Sequence, residues 1–230
     1  MGQPNFRFWD LGRFLKTLFF FDAIPNWLSW LWPQTGDRPM PSSSNSQSIH
    51  PTGPMIFDFS ENAAALVAQW GSLDDVVMGG VSESQVQAGQ NSLIFSGEVS
   101  TANSGGFTSI RMRNLEVPLN LTGTDGLELV LRGDGQRYKF FVRGETRWDG
   151  VAHAQSFDTV NDQWATVRLP FRDFLAVFRA KTLADTPLDP SCIYAFQLML
   201  SKFEYDGALN PQFHPGRFCL EVQSICAYTA

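Results

Sequence analysis

The sequence predicts an all-β domain, an antiparallel sandwich or barrel, preceded by an amphipathic N-terminal helix. Three observations carry this. From Met55 onward, short runs such as LIFSGEVS, LELVLRG, YKFFVRG and AFQLMLS place β-branched, aromatic or aliphatic residues at period two. Turn residues separate the runs: Gly-Gln-Asn, Gly-Thr-Asp-Gly, Gly-Asp-Gly, Asn-Asp-Gln and Asp-Gly. No long helical pattern lies between them, whereas residues 7–19 carry a strong one.

The first 33 residues differ from all that follows. FRFWDLGRFLKTLFFFDAIPNWLSWLW holds four of the seven tryptophans and six of the 20 phenylalanines. On a helix, Phe8, Leu11, Phe14, Leu15, Leu18 and Phe19 share one broad face, with Asp10, Arg13, Lys16 and Thr17 opposite. Gly12 weakens the helix by under about 1 kcal/mol, and Pro25 ends or kinks it near Ala23. Arg13, Lys16, Asp22 and Asn26 interrupt the apolar run too often for a simple membrane span. A signal peptide would have an uncharged core and a small-residue cleavage site, and neither is evident. A large moment, aromatic residues on the apolar side and cations on the other fit a segment lying in the membrane interface. Trp27, Trp30 and Trp32 would add a second interfacial turn, because indole settles at the headgroup level. A groove on a partner, or the protein's own body, is the other place such a helix docks. Phe6 stands where a myristoylation signal has Ser or Thr, so lipidation is unsupported.

Residues 34–54, QTGDRPMPSSSNSQSIHPTGP, are rich in Pro, Ser and Gly and read as a flexible tether. The β domain then runs from 55 to 230. Its expected strands, in order, are SQVQAG, LIFSGEVS, FTSIRMR, LELVLRG, YKFFVRG, WATVRLP, AFQLMLS and RFCLEVQSI. Two stretches, SENAAALVAQW and FRDFLAVFRAK, are expected as short helices, the first with Ser60 as N-cap and Glu61 in its first turn. In FCLEVQSICAY, Phe218, Leu220 and Val222 share a face and Cys219 and Glu221 the other. Cys226 joins Phe218 only if no bulge intervenes.

Composition narrows the function classes. The net charge is -6 and there is no basic run, which argues against general nucleic-acid binding. Three cysteines, Cys192, Cys219 and Cys226, form no CxxC and leave at least one thiol unpaired, which fits a reducing compartment. His50, His153 and His214 lie far apart without ligand spacing, so neither zinc nor any other metal is expected. GDGQRYKFFVRG has glycines but neither a P-loop nor a dinucleotide fingerprint, and a Gly-Asp-Gly turn between strands explains it better. No catalytic residue, cofactor or Ser-His-Asp order is indicated.

The densest polar stretch is DDVVMGGVSES, residues 74–84. Gly79-Gly80 permits positive φ or close backbone approach. Asp74, Asp75, Ser82 and Ser84 can cap turns, or the loop, with Met78 beside the glycines, can contact a ligand or partner. A hard cation needs more oxygens than this spacing offers. Arg143, Arg147 and Trp148 fall at a strand end and its loop, a residue pairing common at interfaces, although Trp148 would equally plug one end of the sandwich. FEYDGALNPQFHPG, 203–216, is a long polar-aromatic loop of the kind that carries recognition.

Several long motifs occur in a fixed order: WGSLDDVVMGGVSES (70–84), FSGEVSTANSGGFTSIR (95–111), TDGLELVLRGDGQRYKFFVR (124–143), WDGVAHAQSFDT (148–159), WATVRLPFRDF (164–174) and LDPSCIYAFQLMLSKFEYDGALNPQFHPGRFCLEVQSI (188–225). Together they resemble the complex I intermediate-associated protein 30 family, from about Met55 to Ala230. The resemblance implies a galactose-binding-like jelly-roll β-sandwich, as in many carbohydrate-binding modules. It also implies a non-catalytic assembly or stability factor for a membrane-bound respiratory or photosynthetic complex, such as an NADH dehydrogenase-like complex or a photosystem. Family members act in mitochondrial complex I assembly, and a related domain occurs in a chloroplast factor for photosystem II synthesis. The expected partners are therefore subunits or assembly intermediates of such a complex, at a membrane surface on the cytoplasmic or stromal side, including a thylakoid. Asp10 and Asp22 depart from a mitochondrial transit peptide, which points to a bacterial, cyanobacterial-type member. The alternatives are a carbohydrate- or small-ligand-binding module and, more remotely, a hydrolase using the Asp74/Asp75 loop.

Overall fold

The computed structural model describes residues 53–230; the expected amphipathic helix with its anchoring side chains, and nearly all of the 34–54 tether, lie outside them. The described chain forms β1 (Met55–Asp58), α1 (Phe59–Val67), β2 (Trp70–Ser72), β3 (Glu83–Ala88), β4 (Leu93–Val99), β5 (Phe107–Met112), β6 (Gly126–Arg132) and β7 (Arg137–Arg143). It continues through β8 (Ala152–Asp158), β9 (Trp164–Pro170), β10 (Leu175–Phe178), β11 (Lys181–Thr182), β12 (Ala195–Ser201) and β13 (Gly216–Tyr228).

Two antiparallel sheets result, a galactose-binding-like jelly-roll sandwich. One has the order β3-β4-β13-β6-β9, with β1 also on β13; the other has the order β11-β10-β8-β7-β12-β5-β2. The chain crosses repeatedly between them, so β4, β6, β9 and β13 alternate in sequence with strands of the seven-stranded sheet. β13 is long enough for β4 to pair with its first half and β1 with its second, while β6 covers its other edge.

Alternation explains the core. Leu127, Leu129 and Leu131 of β6, and Phe218, Leu220 and Val222 of β13, face Tyr138, Phe140 and Val142 of β7 and Phe196, Leu198 and Leu200 of β12. Aromatic rings pack edge to face through this layer: Phe95 lies 4.8 Å from Phe218 and 6.5 Å from Tyr138.

Two expectations change, and the parity of β13 left open by the sequence is resolved. FRDFLAVFRAK is not a helix: Phe171–Asp173 makes one 3-10 turn and Leu175–Phe178 is β10, its Leu175 opposite Ala154 of β8. The N-cap of α1 is Asp58, whose Oδ1 accepts from Ser60 N at 2.9 Å and Ser60 Oγ at 2.6 Å, so Ser60 is inside the helix. A register shift between Val222 and Ser224 reverses the parity of β13, so Ile225 and Ala227 enter the core. Cys226 instead lies beside Glu128 of β6, its thiol donating to the Glu128 carbonyl oxygen at 3.5 Å.

Candidate ligand-binding groove on the seven-stranded sheet

The outward face of the seven-stranded sheet should be wet and polar. It is polar but scarcely wet. On β7 the residues alternating with the core are Lys139, Phe141 and Arg143, and on β12 they are Gln197, Met199 and Ser201. Lys139 is 5% exposed and Gln197 2%. Loops rise around this face and bury it, leaving a cavity of about 540 Å³. Asp75, Met78 and the backbone at Gly105–Gly106 form one wall, Arg179 and Ala180 another, and Lys202 to Tyr205 a third.

The floor is a cross-strand polar relay. Arg143 Nη2 donates to Gln197 Oε1 at 2.9 Å, Gln197 Nε2 to Ser109 Oγ at 3.1 Å, and Ser109 Oγ to the Leu73 carbonyl at 2.5 Å. Beside it, Arg111 donates to the Trp148 carbonyl at 2.9 Å and to Asn114 Oδ1 at 3.0 Å, its guanidinium 5.0 Å from the Trp148 ring centre. Lys139 donates to the Phe203 and Glu204 carbonyls and sits 4.9 Å from the Tyr205 ring centre.

Burial lowers the pKa of all three cations. Arg111 falls to about 9, through burial and then the nearby Arg143 charge; Arg143 falls to about 10 through burial, with Glu145 opposing; Lys139 falls to about 8 through burial. Each remains charged at neutral pH, at a desolvation cost that packing alone does not require.

The 74–84 loop supports the wall with its carboxylates. Asp75 Oδ1 accepts from Ser82 N at 3.1 Å; Oδ2 accepts from Ser82 Oγ at 2.7 Å, Gly106 N at 2.7 Å and Phe107 N at 3.3 Å. Asp74 accepts from Ser84 N at 2.9 Å and Ser84 Oγ at 2.6 Å. Asp75 thus binds this loop to the one before β5, and Asp74 closes the loop on its own Ser84. Gly79 ends the Asp75–Met78 turn at φ +86°, and a Cβ on Gly80 would stand 2.2 Å from Asp75 Oδ1.

Of the sequence-named candidates, Asp75, Met78 and Arg143 line the groove. Met78 is 71% exposed at its rim. Asp74, Gly79, Gly80 and Ser82 build the wall behind it. Trp148 stacks under Arg111, and Arg147 is exposed, 3.0 Å from Glu145. Lys139, Gln197 and Ser201 escaped sequence reading because an outward strand position looks solvated until the loops are placed. The available signal was Lys and Arg alternating with Phe in YKFFVRG beside the 203–216 loop.

Among the described residues no group of three or more His, Cys, Asp or Glu could hold a metal ion, and no helix is long and apolar enough to cross a membrane. His153 Nε2 lies 3.0 Å from the Thr186 carbonyl.

The sandwich and its loop-walled outer face define the jelly-roll class to which many carbohydrate-binding modules belong. The family 11 carbohydrate-binding module from Clostridium thermocellum, solved with a β-1,3-1,4-mixed-linked tetrasaccharide, is similar over 79% of this chain and 98% of its own, at 16% identity and a TM-score of 0.54. The family 11 module of a cellulosomal cellulase of the same organism is similar over 79% and 96%, at 17% identity and a TM-score of 0.53. An agarase matches over 78% of this chain and 25% of its own, at 9% identity and a TM-score of 0.52. No curated protein matches. Residues 57–222 match Complex I intermediate-associated protein 30 (CIA30), and the chain belongs to that family.

Proposed function

We propose that this protein is a non-catalytic assembly or stability factor for a membrane-bound respiratory or photosynthetic complex, an NADH dehydrogenase-like complex or a photosystem. Family membership over residues 57–222 is the observation that carries the reading. Residues 1–33 hold the protein at the membrane surface, on the cytoplasmic or stromal side, and residues 34–54 tether the sandwich, which grips a subunit or intermediate. The aromatic amphipathic pattern of Phe8, Leu11, Phe14, Leu15, Leu18 and Phe19 supports the anchoring.

The test is affinity purification of the tagged full-length chain from gently solubilised membranes, beside a chain lacking residues 1–33. Subunits of one membrane complex should come down with the first and be lost from the second. The reading fails if neither chain retains any such subunit. Liposomes supply the second check, since equal binding by both chains would remove the anchor.

The cavity favours a second reading, a jelly-roll module that binds a small ligand. Similarity in fold to carbohydrate-binding modules supports it by analogy only.

A further inference from the structure

We infer that the groove on the outer face of the seven-stranded sheet binds a small carboxylate with an apolar body, the carboxylate on Arg143 and the body against Phe141, Met199 and Val177. The inference rests on the small-ligand reading and names the ligand class.

Shape is the first ground. The floor residues Phe141, Val177 and Ser201 point outward yet are only 6–9% exposed, so this is a recess and not a flat interface. A cavity of about 540 Å³ suits a compact molecule.

Charge is the second. Lys139, Arg143, Arg179 and Lys202 line the groove against Asp75 and Glu204, a local cationic excess in a chain of net charge -6. Both acids are already committed. Asp75 takes the donors of Ser82, Gly106 and Phe107, and Glu204 takes Arg137 Nε and Ser156 Oγ. Arg143, by contrast, makes a single hydrogen bond among the described residues, to the neutral amide of Gln197, and its buried Nε has no partner among them. Its guanidinium retains donors in the planar fork that matches a carboxylate.

The pattern of donors favours one ligand class. A neutral sugar offers hydroxyls that need acceptors as well as donors, and the side-chain acceptors lining the groove are already engaged in part, Gln197 Oε1 by Arg143 and the Glu204 carboxylate by Arg137 and Ser156. A phosphate is commonly cradled by backbone N–H groups, and those of Gly106 and Phe107 are held by Asp75. What remains is a cationic fork beside an apolar cluster of Phe141, Ala152, Ala154 and Val177, packed with Met199 and Tyr205.

The experiment is calorimetric titration of the full-length protein with benzoate, phenylacetate, 4-phenylbutyrate and hexanoate, each against its own primary amide. Inorganic phosphate and the mixed-linked β-glucan tetrasaccharide complete the set. At least one carboxylate should bind saturably and at least about tenfold more tightly than its amide, the difference expected of a charge-assisted pair. Arg143→Gln should lose about that factor, while Arg147→Gln, outside the groove, should not. Met199→Trp, which fills the groove without touching Arg143, should also abolish binding, with circular dichroism confirming that each variant is folded. The inference is overturned if amides match their carboxylates, if phosphate binds as tightly, or if folded Arg143→Gln binds unchanged. Binding of the tetrasaccharide alone would sink the carboxylate while leaving the small-ligand reading standing. No binding by any compound would remove both.

Discussion

Asp75 Oδ2 accepts the backbone N–H of Gly106 at 2.7 Å, joining two loops 31 residues apart across one end of the sandwich. The same carboxylate takes Ser82 and Phe107, so one buried side chain, 1% exposed, fixes the groove wall. Asp75→Ala would leave these donors buried without an acceptor. The expected loss is about 2–4 kcal/mol of unfolding free energy in denaturant melts, since each orphaned group costs about 1–3 kcal/mol before relaxation. A loss below about 0.5 kcal/mol would show the wall stands without it.

The paired glycines separate two physical causes. Gly79 has φ +86° with open space where a Cβ would be, whereas Gly80 has no such φ but sits against the Asp75 carboxylate. Gly79→Asn should therefore cost under about 1 kcal/mol, because Asn tolerates the left-handed region. Gly80→Ala should cost about 1–3 kcal/mol by overpacking. Thermal melts giving the reverse order would contradict the assigned roles.

Lys139 gives a pH dependence of defined sign. Burial lowers its folded pKa from 10.5 to about 8, so from about pH 8 to 10.5 the unfolded chain holds a proton that the folded chain has released. Stability from this group therefore rises with pH across that window. Cys226 opposes it: burial, then Glu128, raises its thiol from 9 to about 11, so its contribution falls as pH climbs through that range. The difference in melting temperature between wild type and Lys139→Met isolates the lysine. It should shift in favour of wild type as pH rises from 8 to 10.5, and a flat difference would place Lys139 in water.

The unequal burial of two β13 cysteines predicts thiol behaviour. Cys219 is exposed on the sheet surface, whereas Cys226 is buried beside Glu128. Iodoacetamide at pH 8 should label Cys219 in the native protein and leave Cys226 unlabelled until denaturation. Peptide mapping with both labelled at equal rates would contradict the burial of Cys226.

The long alternating runs announced the sandwich because strands buried on one face cannot hide their period; LELVLRG and YKFFVRG became β6 and β7. AHAQSFD, which became β8, did not announce itself. Its outward residues are alanines that fill the floor between Phe141 and Val177, with none of the bulk that marks a strand. FRDFLAVFRAK mimics a helical period locally, and only pairing with β8 makes part of it a strand. Within the groove, Arg143 and Asp75 were legible as chemistry. Their association was not, because a carboxylate wall and a guanidinium floor meet only when the loops before β3 and β5 are folded over β7 and β12. The burial of Lys139 and Gln197 is likewise a property of those loops.

The most direct measurement of the assembly role is native electrophoresis of membrane complexes from cells with the gene deleted, beside cells in which it is restored. The account predicts that one respiratory or photosynthetic complex falls in abundance, that a smaller subcomplex accumulates, and that the full-length chain restores the mature form. Unchanged abundance and assembly of every such complex in the deletion would contradict it.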